Sequence, residues 1–235
     1  MALLQEHIYH IKNVLSSGPV SDDFKISDEQ VYFILKYARA KLIKDKFDKY
    51  HYINIANYQT IDCLKLELVP EINCPCFTND CKVLKSKCAL PRVITGRNGL
   101  LIQGIYDLSG NVISETSKSK LQYYKYSKTK QNRVSYYILN NHLYVQNADR
   151  LKAITITALF EDPLALHNSL GECNSCGDNV SCYDPYTMDF PLDLDLTTYL
   201  NKMTYEELFN IMMRIPQDNT NDAKDNITQS NAQNS

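Results

Sequence analysis

Eight cysteines are the residues of this chain whose type and spacing could carry chemistry. Seven of them fall into a C-x-C-x4-C-x6-C patch and a C-x2-C-x5-C patch, formed by Cys74, Cys76, Cys81 and Cys88 and by Cys173, Cys176 and Cys182. Closely spaced thiolates can hold a tetrahedral zinc ion. Neither patch has the paired C-x2-C knuckles of a zinc ribbon, and buried free thiols or disulfides formed outside the reducing cell explain them as well. We therefore predict no metal and no cofactor, with a zinc site as the alternative.

A second segment, residues 118–133, combines cations with aromatic rings. It contains no acid, and its basic and aromatic members are Lys118, Lys120, Lys125, Lys128, Lys130, Arg133, Tyr123, Tyr124 and Tyr126. Basic residues neutralise phosphates and aromatic rings stack on bases, so the segment could contact nucleic acid. We favour packing against a neighbouring subunit, because the whole chain carries a net charge of −2 and tyrosine is enriched at interfaces. The interface candidates are Tyr123, Tyr124, Tyr126, Tyr136, Tyr137, Lys125 and Lys128.

Signatures of catalysis are absent from the sequence. It has no nucleophile elbow, phosphate-binding loop, H-E-x-x-H or dinucleotide fingerprint, and its five histidines show no ligand-like spacing. His7 lies on the apolar face of the first predicted helix, where it is expected to be a packing residue. The sequence therefore predicts a protein that is not an enzyme.

Two helices are predicted before residue 50. Leucines and isoleucines recur at helical spacing from Leu3 to Leu15, and a second helix begins at Ser27, which forms a capping box with Gln30. The second helix buries one apolar face, formed by Val31, Ile34, Leu35, Ala38 and Leu42. Two antiparallel helices joined by a short loop are the simplest arrangement of this region.

The central part of the chain is predicted to be β-rich. Alternation predicts strands at residues 64–68, 99–106, 135–139 and 154–158, and Asn140-Asn141 predicts a tight hairpin over residues 134–146. Weak helical character over residues 193–203 and a second capping box at Thr204–Glu207 predict helices near the C-terminus. The expected fold class is α+β, with an N-terminal helical hairpin, a central antiparallel sheet or sandwich, and C-terminal helices.

Composition divides the chain into four predicted parts. They are residues 1–50 (helical hairpin), 51–165 (β-rich body with a cysteine-rich loop at 73–90), 166–216 (second cysteine-rich loop and C-terminal helices) and 217–235. The last part is polar and is expected to be a disordered tail, since it has too little apolar surface to offset its ordering entropy. No stretch approaches the ~18 apolar residues of a membrane span, and no secretory signal is visible, so synthesis in the cytoplasm is expected.

The order of several sequence blocks resembles a viral protein family. These blocks include the helix at residues 27–44, the strand ending in Val69-Pro70, Leu90-Pro91-Arg92, the hairpin at residues 135–145, and Phe160-Glu161-Asp162-Pro163. Together with both cysteine patches, they are similar to ring proteins in the head–tail connector of crAss-like bacteriophages, over residues 3–215.

This resemblance implies a structural role in the virion. It implies a ring, commonly of twelve copies, that lies below the portal, contacts the portal and neighbouring tail rings, gives a passage for the genome without sequence-specific binding, and provides a platform for tail assembly. Assembly would occur in the host cytoplasm, and no membrane would be involved. The alternative function, drawn from the cysteines and the 118–133 segment, is a zinc-dependent nucleic-acid-binding module.

The charge of the chain is divided between its two ends. Residues 1–160 contain 22 Lys and Arg against 14 Asp and Glu, a balance of +8, whereas residues 161–235 contain 3 against 13, a balance of −10. Opposite charges at the two ends favour head-to-tail contact between copies of the chain, or binding of each surface to a different partner.

Overall fold

Three helices flank a mostly antiparallel sheet in the part of the chain that the structure describes. This computed structural model describes residues 3–16, 18, 26–69, 83–117, 119–120, 123, 127–129, 133–148, 151–166 and 185–213. The α+β prediction, with helices before and after a β-rich body, is confirmed. The predicted tail at 217–235 and six of the seven cysteines of the two patches lie outside the described residues. The division into four parts stays a prediction.

The first two helices are α1, Leu4–Leu15, and α2, Asp28–Tyr50. The predicted capping box of α2 is confirmed, because the Gln30 backbone N–H donates to Ser27 Oγ at 3.2 Å and the Ser27 N–H donates to Gln30 Oε1 at 3.1 Å. These bonds satisfy two backbone N–H groups at the start of the helix that have no acceptor within the helix itself. The predicted apolar face of α2 is also confirmed, since Val31, Ile34, Leu35 and Ala38 are buried and Leu42 packs against them.

A single helix, α3, Leu194–Met213, occupies the C-terminal region. The predicted capping box at Thr204 is wrong, because Thr204 lies in the middle of this helix. Leu196, Leu200, Thr204 and Leu208 follow one another at intervals of four residues and are all buried, so the apolar stripe continues through the predicted break. The helix begins instead beside Asp193, whose carboxylate accepts the Asp195 N–H at 3.3 Å.

Nine strands are present in the described residues: β1 Gln59–Leu68, β2 Val83–Ser86, β3 Thr95–Gly96, β4 Gly99–Leu100, β5 Ile102–Asp107, β6 Ser114–Glu115, β7 Ser135–Leu139, β8 His142–Gln146 and β9 Ala153–Ala158. Seven of them form one sheet in the order β5-β9-β1-β2-β8-β7-β6, and β3 pairs with β4 alone. Every pair is antiparallel except β6 with β7. The predicted strands at 64–68, 135–139 and 154–158 and the hairpin turn are confirmed; Asn140 and Asn141 have φ values of 51° and 58°, as a two-residue turn requires. The predicted strand at 99–106 is wrong as a single strand, because it is divided into β4 and β5, which pair with different strands in different sheets.

One segment, residues 111–116, joins the two ends of the large sheet. Its first half bonds to β5, where the Ile113 N–H donates to Ile105 O at 2.8 Å. Its second half contains β6 and bonds to β7, where the Thr116 N–H donates to Tyr136 O at 2.8 Å. The outermost strands, β5 and β6, do not pair with each other, but this segment contains β6 and bonds to β5, so it connects the two ends of the sheet around its apolar interior. We refer to the sheet connected in this way as the closed sheet.

A bulge in β1 accounts for a burial pattern that strict alternation does not give. Ile61 and Leu64 are both buried although they are three residues apart. The register of β1 against β9 shifts between them, and Cys63 has a positive φ of 55°. The additional residue returns Leu64 to the inner face, as a β-bulge does.

Two apolar cores result from this arrangement. The first lies among the three helices and includes Ile94, Leu101, Leu159, Phe190 and Leu192, and the second lies inside the closed sheet. The neighbouring residues Leu159 and Phe160 enter different cores. The segment after β9 is thus the place where the helical layer and the sheet meet.

His7 joins α1 to α3 within the first core. It is buried, its Nδ1 lies 3.1 Å from Asn201 Oδ1, and its ring centroid lies 5.5 Å from that of Phe190. The prediction that it is a packing residue is confirmed. Burial lowers the pKa of His7, although the Asn201 hydrogen bond and the nearby Glu6 oppose this shift.

We expect His7 to make the stability of the protein depend on pH. The unfolded chain takes up a proton near pH 6.5 and the folded chain only at lower pH, so the free energy of unfolding should fall as the pH drops below about 6.5. His7→Gln should reduce this slope in urea titrations between pH 5 and pH 7, because glutamine does not titrate. His10→Gln, a change of an exposed histidine on the same helix, is the control, and equal slopes for all three proteins would contradict the assignment.

Candidate interaction surfaces

The guanidinium of Arg39 connects three segments beneath the helical layer. Arg39 is fully buried in α2, and it donates from Nε to Pro191 O at 2.9 Å, from Nη1 to Phe160 O at 2.8 Å and from Nη2 to Asn57 O at 3.2 Å. Pro191 precedes α3, Phe160 follows β9, and Asn57 precedes β1. One side chain of α2 therefore holds both the last helix and the sheet.

Burial of this cation has an electrostatic consequence. It lowers the pKa of Arg39 to about 10, against the opposing effect of Tyr32 and Asp162, so the side chain stays charged at neutral pH. Among the described residues, its hydrogen-bond acceptors are backbone carbonyls. A buried charge is tolerated only when its donors are satisfied, and the fixed fork of a guanidinium matches three separate carbonyls in a way that a lysine ammonium does not.

Asp162 forms a second connection between α2 and the segment after β9. Its carboxylate accepts hydrogen bonds from the Tyr32 hydroxyl and from Lys36 Nζ, the latter at 2.9 Å, and from the N–H groups of Leu164 and Ala165 at 3.0 and 3.1 Å. Burial alone would raise the pKa of Asp162, but the bonds from Tyr32 and Lys36 outweigh it and the pKa is lowered. Burial, followed by the hydrogen bond to this carboxylate, raises the pKa of Tyr32. Asp162 is therefore ionised and Tyr32 is neutral at physiological pH.

A third connection is formed by Asp193 at the start of α3. Lys46 Nζ lies 3.2 Å from the Asp193 carboxylate, and the Asp193 backbone N–H donates to Oδ1 of the buried Asn57 at 3.0 Å. Lys46 and Lys36 belong to the basic part of the chain, whereas Asp193 and Asp162 belong to the acidic part. Part of the charge complementarity seen in the sequence thus acts within one subunit.

The structure separates the predicted interface tyrosines. Tyr136 lies in the core inside the sheet, and Tyr137 lies on the opposite face, where its ring stacks on Tyr144 with centroids 5.1 Å apart and planes 4° apart. Both are buried, with relative exposures of 4% and 7%. Little of either ring is exposed in the single subunit, and their role at an interface stays a prediction.

The described interface candidates of the 118–133 segment are exposed, unlike Tyr136 and Tyr137. Tyr123 is 66% exposed and Lys128 is exposed, so both are accessible in the single subunit. Tyr124, Lys125 and Tyr126 lie outside the described residues. Their role at an interface stays a prediction.

Two cysteines are described, Cys63 and Cys88. Cys88 is disulfide-bonded, whereas Cys63 is half-buried at the bulge of β1 and is not part of a disulfide. A sulfur in a disulfide is not available as a thiolate ligand. The state of Cys88 therefore favours the disulfide interpretation for this member of the first patch. Within the described ranges, no group of three or more His, Cys, Asp or Glu residues is placed to hold a metal ion.

Sequence reasoning missed exposed aromatic residues on two helices. Phe33 and Tyr37 on α2 are 56% and 55% exposed, and their ring centroids lie 4.9 Å apart. Tyr199 and Phe209 on α3 are 63% and 40% exposed. The signal was present, because Phe33 and Tyr37 are four residues apart on the face of α2 opposite to Val31.

A comparison with known families decides what kind of protein this is. The family model described as phage tail ring protein 2 matches residues 6–227 of the 235. The chain belongs to this family. No curated protein matches the chain. The resemblance to ring proteins of crAss-like phages is thereby confirmed.

Membership in the phage tail ring protein 2 family offers an explanation for the exposed apolar residues. Proteins of this family are structural components of a phage tail and assemble into rings, so exposed apolar side chains are expected where copies or partners meet. Within the described part of the chain, no helix has the length and apolar character needed to cross a membrane.

We expect Arg39→Lys to destabilise this ring protein by about 2–4 kcal/mol, because one ammonium leaves carbonyls of the three segments without donors. Urea denaturation of the purified subunit measures the change. Arg97→Lys, at an exposed arginine of the β3–β4 turn, is the matched control and should change the free energy of unfolding by less than about 0.5 kcal/mol. Equal effects of the two substitutions would show that Arg39 does not hold the layers together.

Proposed function

We propose that this protein forms a closed ring in the head–tail connector of a crAss-like phage, below the portal. The ring would leave a passage for the genome and provide a platform on which the tail assembles. Its partners are other copies of itself, the portal and the adjacent tail ring proteins. DNA passes through the lumen without sequence-specific binding, and the protein acts in the virion after assembly in the host cytoplasm.

The family match over residues 6–227 carries this proposal. The order of elements supports the position next to the portal, since a helical N-terminus followed by a β-rich body suits an adaptor. Twelve copies are proposed because connector rings of the family that the sequence resembles commonly have that number. In a closed ring each copy uses two different surfaces, so the contacts are heterologous.

The proposed ring should be visible by native mass spectrometry and by electron microscopy of the purified protein. We expect a closed twelve-fold assembly whose stability falls as salt is raised from 0.05 to 0.5 M. Exposed charges beyond a Debye length of about 8 Å are largely screened at 0.15 M ionic strength. A symmetric dimer as the only assembly would contradict the ring geometry, and a ring insensitive to salt would contradict the contribution of charge.

The 118–133 segment offers a test of interface against nucleic-acid contact. Tyr123→Ala should weaken each subunit contact by about 1–2 kcal/mol if Tyr123 is an interface residue, whereas Lys128→Ala should weaken assembly less. The ring fraction is measured by mass photometry, and retention of short DNA duplexes by gel shift. Tyr52→Ala, at an equally exposed tyrosine elsewhere, is the control.

The same two variants can also show that the segment binds nucleic acid. If Lys128→Ala abolishes DNA retention while Tyr123→Ala leaves the ring intact, the segment serves nucleic acid rather than the subunit interface. That result would also favour the alternative of a nucleic-acid-binding module.

A further inference from the structure

We infer that neighbouring subunits of the ring meet through two helix faces, the exposed face of α2 on one copy and the exposed face of α3 on the next. This inference rests on the proposed ring. It names the surfaces and the pairing that the proposal leaves open. The occupant of each face is a second copy of this chain.

The connection between the two ends of the sheet limits one common mode of subunit contact. A free sheet edge can pair with a strand of another chain, as in strand addition. Here the segment at residues 111–116 bonds to Ile105 and Asp107 of β5 on one side and to Ser135 and Tyr136 of β7 on the other, so these parts of the two strands are already paired. Contact between copies is therefore expected to use side chains rather than strand pairing.

The exposed face of α2 is aromatic and basic. Its members are Phe33, Tyr37, Lys41 and Lys44, which lie three to four residues apart along one stripe. From Phe33 to the end of the helix, the exposed charges are three lysines and Asp45, a net +2. Lys36 and Lys46 are not counted, because they are half-buried and form ion pairs within the subunit.

The exposed face of α3 is aromatic and acidic. Its members are Asp195, Tyr199, Lys202, Glu206 and Phe209, which also follow helical spacing. The exposed charges of this helix are Lys202 against Asp195, Glu206 and Glu207, a net −2. The two faces therefore have similar aromatic character and opposite charge, as complementary surfaces of an interface require.

Internal contacts restrain three of these aromatic side chains, Phe33, Tyr37 and Phe209, before any partner binds. The Phe33 and Tyr37 rings contact each other edge to face, with Lys36 Nζ 5.6 Å from each ring centroid. Phe209 stacks on Tyr205 with centroids 5.9 Å apart. Side chains that are already ordered lose less conformational entropy on association, which favours their use as anchors.

Charge reversal on each face tests this pairing. One variant carries Lys41→Glu with Lys44→Glu, and the other carries Asp195→Lys with Glu206→Lys. Each alone should lower the ring fraction at least about tenfold in mass photometry, because like charges then face each other at every contact. An equimolar mixture of the two variants should restore the ring, since alternating copies bring opposite charges together at every contact.

The controls separate loss of contact from loss of folding. Lys87→Glu with Lys152→Glu reverses two exposed lysines, one directly after β2 and one directly before β9, and should leave the ring intact. Circular dichroism and thermal melting establish that each variant is folded. Native mass spectrometry of the mixture, with one variant isotopically labelled, should show equal numbers of the two subunits in each ring.

Two results overturn the inference while the ring itself stands. In the first, either variant alone forms rings as well as the natural protein does. In the second, both folded variants fail alone and the mixture also fails. A natural protein that remains monomeric at all salt concentrations would instead count against the proposed ring, so failure of the pairing and failure of the proposed function give different observations.

Discussion

The hydrogen bonds of the buried Arg39 are the interaction on which the rest of the structure depends. They bring together the approach to β1, the exit of β9 and the approach to α3, which are 18, 121 and 152 residues from Arg39 along the chain. Asp162 and Asp193 reinforce this junction by binding Tyr32, Lys36 and Lys46 of the same helix. Because α2 is held from one side by these contacts, its orientation relative to the sheet is fixed, and so is the direction of its opposite, exposed face.

A rigid subunit of this kind suits a ring component. The segment at residues 111–116 bonds to part of β5 and of β7, which protects these lengths against uncontrolled association through strand edges. The helical layer carries the exposed aromatic residues instead, and it is attached to the sheet through a satisfied polar network rather than through apolar contact alone. Removal of one member of such a network leaves the remaining polar groups buried and unpaired, so the stability of the whole subunit is expected to fall.

Local features were predictable from the sequence, and contacts between distant residues were not. The capping box of Ser27 and Gln30, the hairpin at Asn140-Asn141 and the alternation in β9 depend on residues close in sequence, and all are confirmed. The pattern at Thr204 failed because Ser or Thr followed by an acid three residues later has the same appearance inside a helix, where Leu200 and Leu208 continue the apolar stripe. Arg39 lies in a helix that the sequence predicts, but its hydrogen-bond acceptors are backbone carbonyls. Every residue has one, so the sequence does not show which carbonyls Arg39 contacts. The exposed faces of α2 and α3 were missed because apolar periodicity was assigned to the buried face alone.

A cryo-EM reconstruction of the assembled connector would show directly how neighbouring copies meet. We expect a closed ring of this chain in which the three-helix layer and the closed sheet keep the arrangement described, Arg39 stays buried at their junction, and the helix faces, not the sheet edges, meet the neighbouring copies. A connector in which the sheets of adjacent copies pair strand to strand, or in which the helices have moved away from the sheet with Arg39 exposed, would contradict it.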